Sequence, residues 1–263
     1  MPFVDFHLPY ICYLVSNYSF KDYIQSYNIN MAFKTKIFYD GCDIKKFGSY
    51  EGVVGFTTNT TIMRQANQLN FTEFYNTNKD SIAGRPISFQ IFSDESEIVK
   101  KQAREISSIG KNIYVKVPII NSRGEQLIDT AVELLQEGVQ VNITAVFTLE
   151  QIDLLGEKIL NVQTPTIVSI FGGRISDTGV NPKGIIQYAV NLFKNNTNIE
   201  VLWAGCKDNL VLQNASDVGC HIVTLPETIM TRINRIGQPL NSLSQDTVKS
   251  FLKDAVEGGL RIV

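Results

Sequence analysis

Histidine and cysteine are scarce in this 263-residue chain, which has two histidines, His7 and His221, and four cysteines. The cysteines are too far apart in sequence to form a C-x-x-C pair. Zinc clusters need several Cys or His ligands, and Ser/His/Asp or Cys/His catalytic sites need a histidine beside the nucleophile. Unless one histidine serves every such role, the chemistry of this chain must therefore use lysine, carboxylate, amide and hydroxyl groups.

The chain also lacks a basic excess and a long apolar run. Its 24 Lys and Arg residues are balanced by 26 Asp and Glu residues, for a net charge of −2. Nucleic-acid-binding domains usually carry a clustered basic excess, and a membrane helix needs roughly 18 to 20 apolar residues. The few scattered cysteines suit a reducing compartment. We therefore expect no nucleic-acid partner, no membrane association and a cytoplasmic location.

From residue 36 onward, short Val- and Ile-rich runs alternate with segments of helical period, which is the pattern of repeated βα units. The predicted strands cover residues 37–40, 52–56, 87–92, 112–117, 140–143, 166–170, 200–204 and 220–225. The predicted helices cover residues 62–76, 95–109, 124–136, 149–160, 182–194, 209–215, 227–235 and 244–257. Eight such units predict an α/β fold with a single closed (β/α)8 TIM barrel over residues 36–263, including the C-terminal helix. The alternative is an open doubly wound sheet, but no G-x-G-x-x-G follows the first strand.

Residues 1–35 are aromatic-rich and have no helical or strand period. Two interpretations stay open for this N-terminal extension. It is either an upstream in-frame stretch, with Met31 as the true initiator, or a genuine appendage that covers a barrel end or an oligomer contact.

Polar residues stand where the predicted strands end, and in a barrel all these ends meet at one mouth. Taken singly, each has an ordinary structural explanation, such as a turn residue or a satisfied buried amide. Their convergence predicts a site. The residues concerned are Asp40, Thr57, Asn59, Gln90, Lys116, Asn142, Thr144, Ser169 and Arg174.

Lys116 is the most informative of these residues because it lies in an apolar strand between Val115 and Val117. Period-two alternation places it on the opposite side from both valines, the side that would face the barrel interior. Burial there would lower the pKa of its ammonium from the usual ~10.4 and produce the neutral amine that Schiff-base chemistry needs. The alternatives are a lysine that extends to the barrel rim, or one paired structurally with Asp40.

Two further basic residues follow the later strands. Arg174 lies in the glycine-containing segment Phe171-Gly172-Gly173-Arg174, and Lys207 follows the seventh predicted strand. A flexible loop lets a guanidinium and backbone amides approach an anion, and barrels often bind phosphate at the later strand ends. The alternative for both residues is an ordinary surface position.

Five segments together resemble the transaldolase family, in particular the small-subunit branch that includes the fructose-6-phosphate aldolases. They occur in family order and the resemblance covers about residues 36–235. The segments are Ile37-Phe38-Tyr39-Asp40, Gly55-Phe56-Thr57-Thr58-Asn59, Val115-Lys116-Val117-Pro118, Val141-Asn142-Ile143-Thr144-Ala145-Val146-Phe147 and Phe171-Gly172-Gly173-Arg174-Ile175-Ser176-Asp177-Thr178-Gly179.

The resemblance implies a role for each matching residue. Lys116 matches the imine-forming lysine, Asp40 the acid/base that takes the proton of the C4 hydroxyl, and Thr144 the threonine that positions a catalytic water. The positions that line the pocket of the three-carbon donor unit are Thr57, Asn59, Asn142 and Ser169. Arg174 matches the phosphate-binding arginine, and Lys207 falls where the family has a basic residue.

The active-site residues mix features of the two branches of the family, and the motif after the seventh strand differs further. Gln90 replaces the proton-relaying glutamate of transaldolases, as in the aldolase branch, whereas Phe171 and Ser169 are like the transaldolases. Gly205 stands where relatives have a serine that contacts phosphate.

The resemblance implies a class I transaldolase that moves a dihydroxyacetone unit from a ketose phosphate such as fructose 6-phosphate to an aldose phosphate. No metal or organic cofactor is expected, because a protonated imine is the electron sink. One alternative is a fructose-6-phosphate aldolase that releases dihydroxyacetone and glyceraldehyde 3-phosphate. Another is a barrel that binds sugar phosphates without turnover, to which only Gly205 points.

The C-terminal helix carries Val248, Phe251, Leu252 and Ala255 at helical spacing. Small-subunit relatives assemble into pentamers and decamers partly through this helix, so the resemblance implies a homo-oligomer. The alternative is ordinary packing of the helix onto its own barrel.

Overall fold

The computed structural model describes residues 34–263, so most of the predicted extension 1–35 lies outside the described residues. Eight parallel strands close into a barrel in sequence order, which confirms the predicted (β/α)8 fold. The strands are β1 Lys36–Asp40, β2 Val53–Thr57, β3 Ile87–Gln90, β4 Ile113–Pro118, β5 Val141–Val146, β6 Thr166–Ile170, β7 Ile199–Trp203 and β8 Ile222–Pro226.

Helices connect the strands on the outside, and their bounds differ from the predictions at several places. They are α1 Ile44–Phe47, α2 Thr60–Gln65, α3 Phe71–Ile82, α4 Ser96–Ser107, α5 Ile128–Gln136, α6 Leu149–Ile159, α7 Gly172–Asp177, α8 Lys183–Phe193, α9 Leu210–Asp217, α10 Glu227–Met230 and α11 Leu240–Glu257, with a 3-10 turn at Ile233–Arg235. The predicted single helix 62–76 is wrong, because Asn67 adopts a left-handed φ of 53° and Asn70 caps a new helix. The short α1 and α7 were not predicted.

Apolar side chains from different strands pack together in the core of the barrel. One cluster joins Phe38, Ile167, Leu202, Ala204 and Ile222, with Tyr114 and Phe171 packed against it. Phe38 needs Gly55 beside it, since a Cβ there would lie 2.4 Å from the Phe38 ring. Burial of these side chains from water supplies the hydrophobic stabilisation of the barrel.

Side chains alternate in direction along a strand, so the residue two positions after an inward apolar residue also faces inward. Two positions after Phe38, Tyr114, Ile167 and Ile222 come Asp40, Lys116, Ser169 and Thr224. The same alternation that turns these apolar side chains inward therefore turns the polar ones inward at the strand ends.

The chain divides into two compact units at residue 234. The barrel unit extends through Asn234, and Arg235–Val263, which contains α11, belongs to the second unit. α11 begins at Leu240 after Pro239, four residues before the predicted start, and has no buried residue. Within residues 34–263 no helix combines the length and apolar character that crossing a membrane requires.

Candidate active site

Polar side chains from β1 to β6 and from β8 meet at the carboxyl-terminal mouth of the barrel. In the strand register Gln90 is paired with Lys116, and Lys116 with Asn142, so three adjacent strands place these residues at one level. Asp40 is paired with Thr57 on the neighbouring strand. The parallel register brings residues together that are widely separated in sequence.

Lys116 lies inside the barrel with only 5% of its surface exposed. Its Nζ donates a hydrogen bond of 2.9 Å to the carbonyl oxygen of Thr58. Burial lowers the pKa of Lys116, and the negative charge of Asp40 opposes this shift. The amine is thus held in a setting that favours its neutral, nucleophilic form more than water does.

Asp40 is half-buried at the end of β1 and accepts a hydrogen bond of 2.6 Å from the Thr57 hydroxyl. Thr57 Oγ1 also lies 2.6 Å from Thr224 Oγ1. A hydroxyl has one proton to donate, so Thr224 must be the donor to Thr57. Burial raises the pKa of Asp40, and Lys116 and the Thr57 hydrogen bond oppose the rise.

A second hydrogen-bond network crosses the mouth from β3 to β6. Asn142 Nδ2 donates to Ser88 Oγ at 3.1 Å, and Ser169 Oγ donates to Asn142 Oδ1 at 2.6 Å. All three side chains are buried. Asn142 retains a second N–H and Ser88 retains its hydroxyl proton, so the network still has donors to offer.

Thr144 lies two residues beyond Asn142 on β5 and is also buried. Its backbone carbonyl accepts from the Ile119 N–H at 2.9 Å. Its Oγ1 has no hydrogen-bond partner among the described residues. Buried hydroxyls are normally paired, so an unpaired one at a barrel mouth is available to a bound hydroxyl or water.

Gln90 and Asn59 lie at the mouth in different settings. Gln90 is half-buried beside Lys116 in the register. Asn59 caps α2, because its Oδ1 accepts from the Ile62 N–H at 2.9 Å. Only the amide N–H groups of Asn59 are left as donors for a ligand.

Phe171 and Arg174 lie beyond the end of β6. Phe171 stacks on Phe147 with ring centroids 5.6 Å apart, and the guanidinium of Arg174 lies 5.4 Å from the centroid of the Phe171 ring. Arg174 is exposed on the short helix α7. A cation held over an aromatic ring is oriented without losing access to solvent.

Lys207 is set apart from the Lys116 cluster. It is exposed and pairs with Asp177 at 3.3 Å. It lines a cavity of about 340 Å³ together with Trp203 and Asp208, and Lys116, Asp40 and Thr144 do not contribute to that lining. An acidic partner at this distance leaves less of its charge for an anion.

Gly205 differs from a serine in its backbone conformation as well as in lacking a hydroxyl. Gly205 has a φ of +71°, a conformation that favours glycine. A serine at residue 205 would therefore be strained. The carbonyl oxygen of Gly205 would lie 1.5 Å from a Cβ on Gly173, so the start of α7 and the segment after β7 meet backbone to backbone.

Other reactive groups near the site are poorly suited to catalysis. Burial and the charge of Asp40 raise the pKa of the Cys42 thiol to about 11, so it stays protonated. Within residues 34–263 no three His, Cys, Asp or Glu side chains are grouped to hold a metal ion.

Sequence reasoning missed three residues that the structure places at the mouth, namely Ser88, Phe147 and Thr224. Ser88 and Thr224 are polar residues inside apolar strands, the same feature that singled out Lys116. Phe147 could not be found this way, because its direction depends on an irregularity in β5 that the sequence does not reveal.

Known proteins are similar to this chain over most of its length. The chain matches the family described as Transaldolase/Fructose-6-phosphate aldolase over residues 37–260. A probable transaldolase of Thermoanaerobacter sp. (strain X514) is 28% identical over 221 residues, which cover 84% of this chain and 95% of that protein. A probable transaldolase of Caldicellulosiruptor saccharolyticus is 29% identical over 81% of this chain and 91% of that protein.

Among solved structures, a mutant tryptophan synthase alpha-subunit from Pyrococcus furiosus has a TM-score of 0.51 at 12% identity, covering 84% of this chain and 99% of that one. Thiamine phosphate pyrophosphorylase from Pyrococcus furiosus has a TM-score of 0.50 at 10% identity, covering 82% and 98%. At such identities these similarities concern the fold alone. By its family match, the chain belongs to the transaldolase/fructose-6-phosphate aldolase family.

Proposed function

We propose that this enzyme is a class I transaldolase in which Lys116 forms a Schiff base with a ketose phosphate such as fructose 6-phosphate. The observation that carries the proposal is the burial of the Lys116 amine inside the barrel, in the electrostatic field of Asp40. Sugar phosphates are the substrates of the family, and the covalent step needs no group that the chain does not supply.

Lys116 begins the reaction by attacking the C2 carbonyl of the ketose. Loss of water from the adduct gives a protonated imine, which withdraws electrons from the adjacent C3–C4 bond. A lowered pKa of Lys116 increases the fraction of neutral amine available for the attack. In the family-derived assignment the orphaned Thr144 hydroxyl holds the water that enters or leaves in this step.

Asp40 takes the proton of the C4 hydroxyl as the C3–C4 bond breaks. The aldose phosphate leaves, and the bonding electrons remain as an enamine of dihydroxyacetone on Lys116. The enamine carbon attacks a second aldose phosphate, and Asp40 returns the proton to the new hydroxyl. Water then hydrolyses the new imine, which frees the ketose phosphate and Lys116. The raised pKa of Asp40 makes its carboxylate a stronger base, which suits a group that must both take and return a proton.

Binding of the substrate is divided between the two ends of the site. Asn142 is paired with Lys116 and bonded to Ser169, and Thr57 is bonded to Asp40. These three residues are proposed to hold the hydroxyls of the three-carbon unit, with Asn59 contributing its amide N–H groups. Arg174 is proposed to bind the phosphate, because it is exposed and oriented over Phe171. Lys207 is the weaker candidate for this role, since Asp177 already pairs with it.

Transfer is proposed rather than release because Phe171 offers no hydroxyl to the enamine. Release requires a water to protonate the enamine carbon. A tyrosine at residue 171 would supply a hydroxyl that helps to activate that water. Gln90, which is half-buried beside Lys116, is the feature that favours the alternative, a fructose-6-phosphate aldolase. The two activities are distinguished by their products.

We expect wild-type enzyme to release little dihydroxyacetone from fructose 6-phosphate alone and to form a new ketose phosphate when an aldose phosphate is added. In Phe171→Tyr the released fraction should rise several-fold. The measurement is free dihydroxyacetone with and without acceptor. Phe92→Tyr is the matched control, because Phe92 is an exposed phenylalanine after β3. Equal release by wild type with and without acceptor would favour the aldolase instead.

We also propose that the enzyme is a homo-oligomer, a pentamer or decamer, assembled partly through α11. Val248, Phe251 and Leu252 are each more than 60% exposed in the single chain, which is unusual for large apolar side chains.

The proposed cytoplasmic location suits the free thiols Cys42, Cys206 and Cys220.

Phe251→Glu should lower the molar mass measured by light scattering toward that of a single chain, because a charge would enter the apolar contact. Lys253→Glu changes charge at an exposed position of the same helix and should leave the mass unchanged. A wild-type chain that is monomeric at micromolar concentration would contradict the assembly.

A further inference from the structure

The fifth strand is irregular at the point where it enters the site. Ile143 is paired with Val168 on β6, but the next pair is Val146 with Ile170. Three steps along β5 therefore oppose two steps along β6. This is a β-bulge, in which one extra residue interrupts the strand and changes the direction of the side chains that follow.

Ala145 is the residue that accommodates this bulge. It has a φ of 59°, in the left-handed region that residues other than glycine rarely adopt. Two backbone hydrogen bonds hold the bulge from both sides: Ile119 N–H donates to Thr144 O at 2.9 Å, and Phe171 N–H donates to Val146 O at 3.0 Å. A conformation that is costly for alanine is thus held by the strands on either side.

The bulge brings the side chains of Thr144 and Phe147 to the same mouth, although they would point to opposite sides of a regular strand. Thr144 keeps the inward direction of Asn142, with its hydroxyl buried and unpartnered among the described residues. In a regular strand Val146 would be the next inward residue. Here it is Phe147 that stacks on Phe171, the ring beneath Arg174.

We propose that Ala145 is a positioning residue, whose left-handed backbone lets Phe147 turn against Phe171 while Thr144 keeps its inward direction, with its hydroxyl toward the reacting carbon. This inference rests on the proposed function, since it assigns Thr144 a part in the reaction. Ala145 itself contacts no substrate. Its effect is exerted through the direction of its neighbours. The Thr144 hydroxyl in particular must be aligned to within a fraction of an ångström.

Three substitutions test the backbone conformation separately from side-chain size. Glycine adopts the left-handed region freely and asparagine tolerates it, whereas a β-branched threonine of similar size to asparagine does not. Ala145→Gly and Ala145→Asn should keep kcat within about twofold of wild type, and Ala145→Thr should lower it about 100-fold, the cost of a misplacement of roughly 1 Å. The melting temperature should decrease in the order Ala145→Gly, Ala145→Asn, Ala145→Thr.

A double-mutant cycle separates positioning from general damage. In the Thr144→Val background, Ala145→Thr should lower kcat little further, because the hydroxyl that it displaces is already absent. An equal loss in both backgrounds, or equal loss in Ala145→Asn and Ala145→Thr, would overturn the proposal. If Ala145→Thr does not fold, near-wild-type turnover by the Asn variant still supports it, and loss of turnover there refutes it.

The wild-type reaction is measured in the same assay. If wild-type enzyme shows neither transfer nor release, the proposed function fails. If wild type is active and Ala145→Thr is equally active, the positioning inference fails while the function stands.

Discussion

Lys116→Met should reduce transfer and cleavage of fructose 6-phosphate by about five to six orders of magnitude, a loss typical of enzymes deprived of their covalent nucleophile. Methionine fills a similar volume in the barrel but has no amine to attack the ketose carbonyl. Steady-state kinetics at saturating substrate would measure the loss. The fold should persist, because an apolar side chain in this buried position removes a desolvation cost.

Lys111→Met is the matched control for that variant. Lys111 is an exposed lysine just before the same strand, so its replacement removes a charge without touching the site. Its kcat should equal that of wild type. Substantial turnover by Lys116→Met, with a melting temperature unchanged, would show that the carbonyl is activated by another group.

Asp40→Asn should lower C3–C4 cleavage by about 10²- to 10⁴-fold, the usual contribution of a general acid–base group. Imine formation on Lys116 should survive, because Asp40 is assigned to the C4 hydroxyl and not to the carbonyl. The two steps are separated by measuring aldose phosphate release and, independently, reductive trapping of the ketose on the enzyme.

The same variant should change the pH dependence of trapping. Burial lowers the pKa of Lys116, and the negative charge of Asp40 opposes that shift. Without this charge the pKa of Lys116 falls further, so neutral amine persists to lower pH. The acid limb of the trapping profile should therefore move to lower pH in Asp40→Asn.

Asp43→Asn provides the control for both measurements, since Asp43 is exposed in the same loop and asparagine can also cap α1. It should leave cleavage and the trapping profile as in wild type. An Asp40→Asn enzyme that cleaves at the wild-type rate would remove Asp40 from the proposed proton transfer.

The sequence predicts the barrel and the direction of Lys116 well, for a common physical reason. Alternation along a strand is a local property, and a charged residue between two valines stands out against it. Eight runs of this kind with helical segments between them leave few other architectures. Ser88 and Thr224 obey the same rule, but they are small polar residues that a strand interior tolerates, so they do not stand out.

What the sequence does not predict depends on interactions between distant segments or on backbone irregularities. The pairing of Lys207 with Asp177 joins two loops that are neighbours only in the closed barrel. The family resemblance implies a ligand-binding role for Asn59, whereas its side-chain carbonyl oxygen caps α2. The bulge at Ala145 follows from the register of β5 against β6, which no property of alanine reveals.

Helix boundaries are the least accurate part of the sequence-based prediction. Residues 62–76 have the apolar spacing of one helix, but Asn67 and the cap at Asn70 divide them into α2 and the start of α3. Asparagine tolerates the left-handed conformation and also caps helices through its side chain. In an asparagine-rich chain these properties override the periodic pattern.

Borohydride reduction of the enzyme during turnover of fructose 6-phosphate, followed by mass spectrometry of the peptides, tests the central claim most directly. A reduced imine is stable, so the modified residue can be located in the sequence. We expect one adduct per chain, with the mass of a dihydroxyacetone unit, on the peptide that contains Lys116 and on no peptide of Lys116→Met. Full turnover without any adduct at Lys116 would contradict the Schiff-base mechanism.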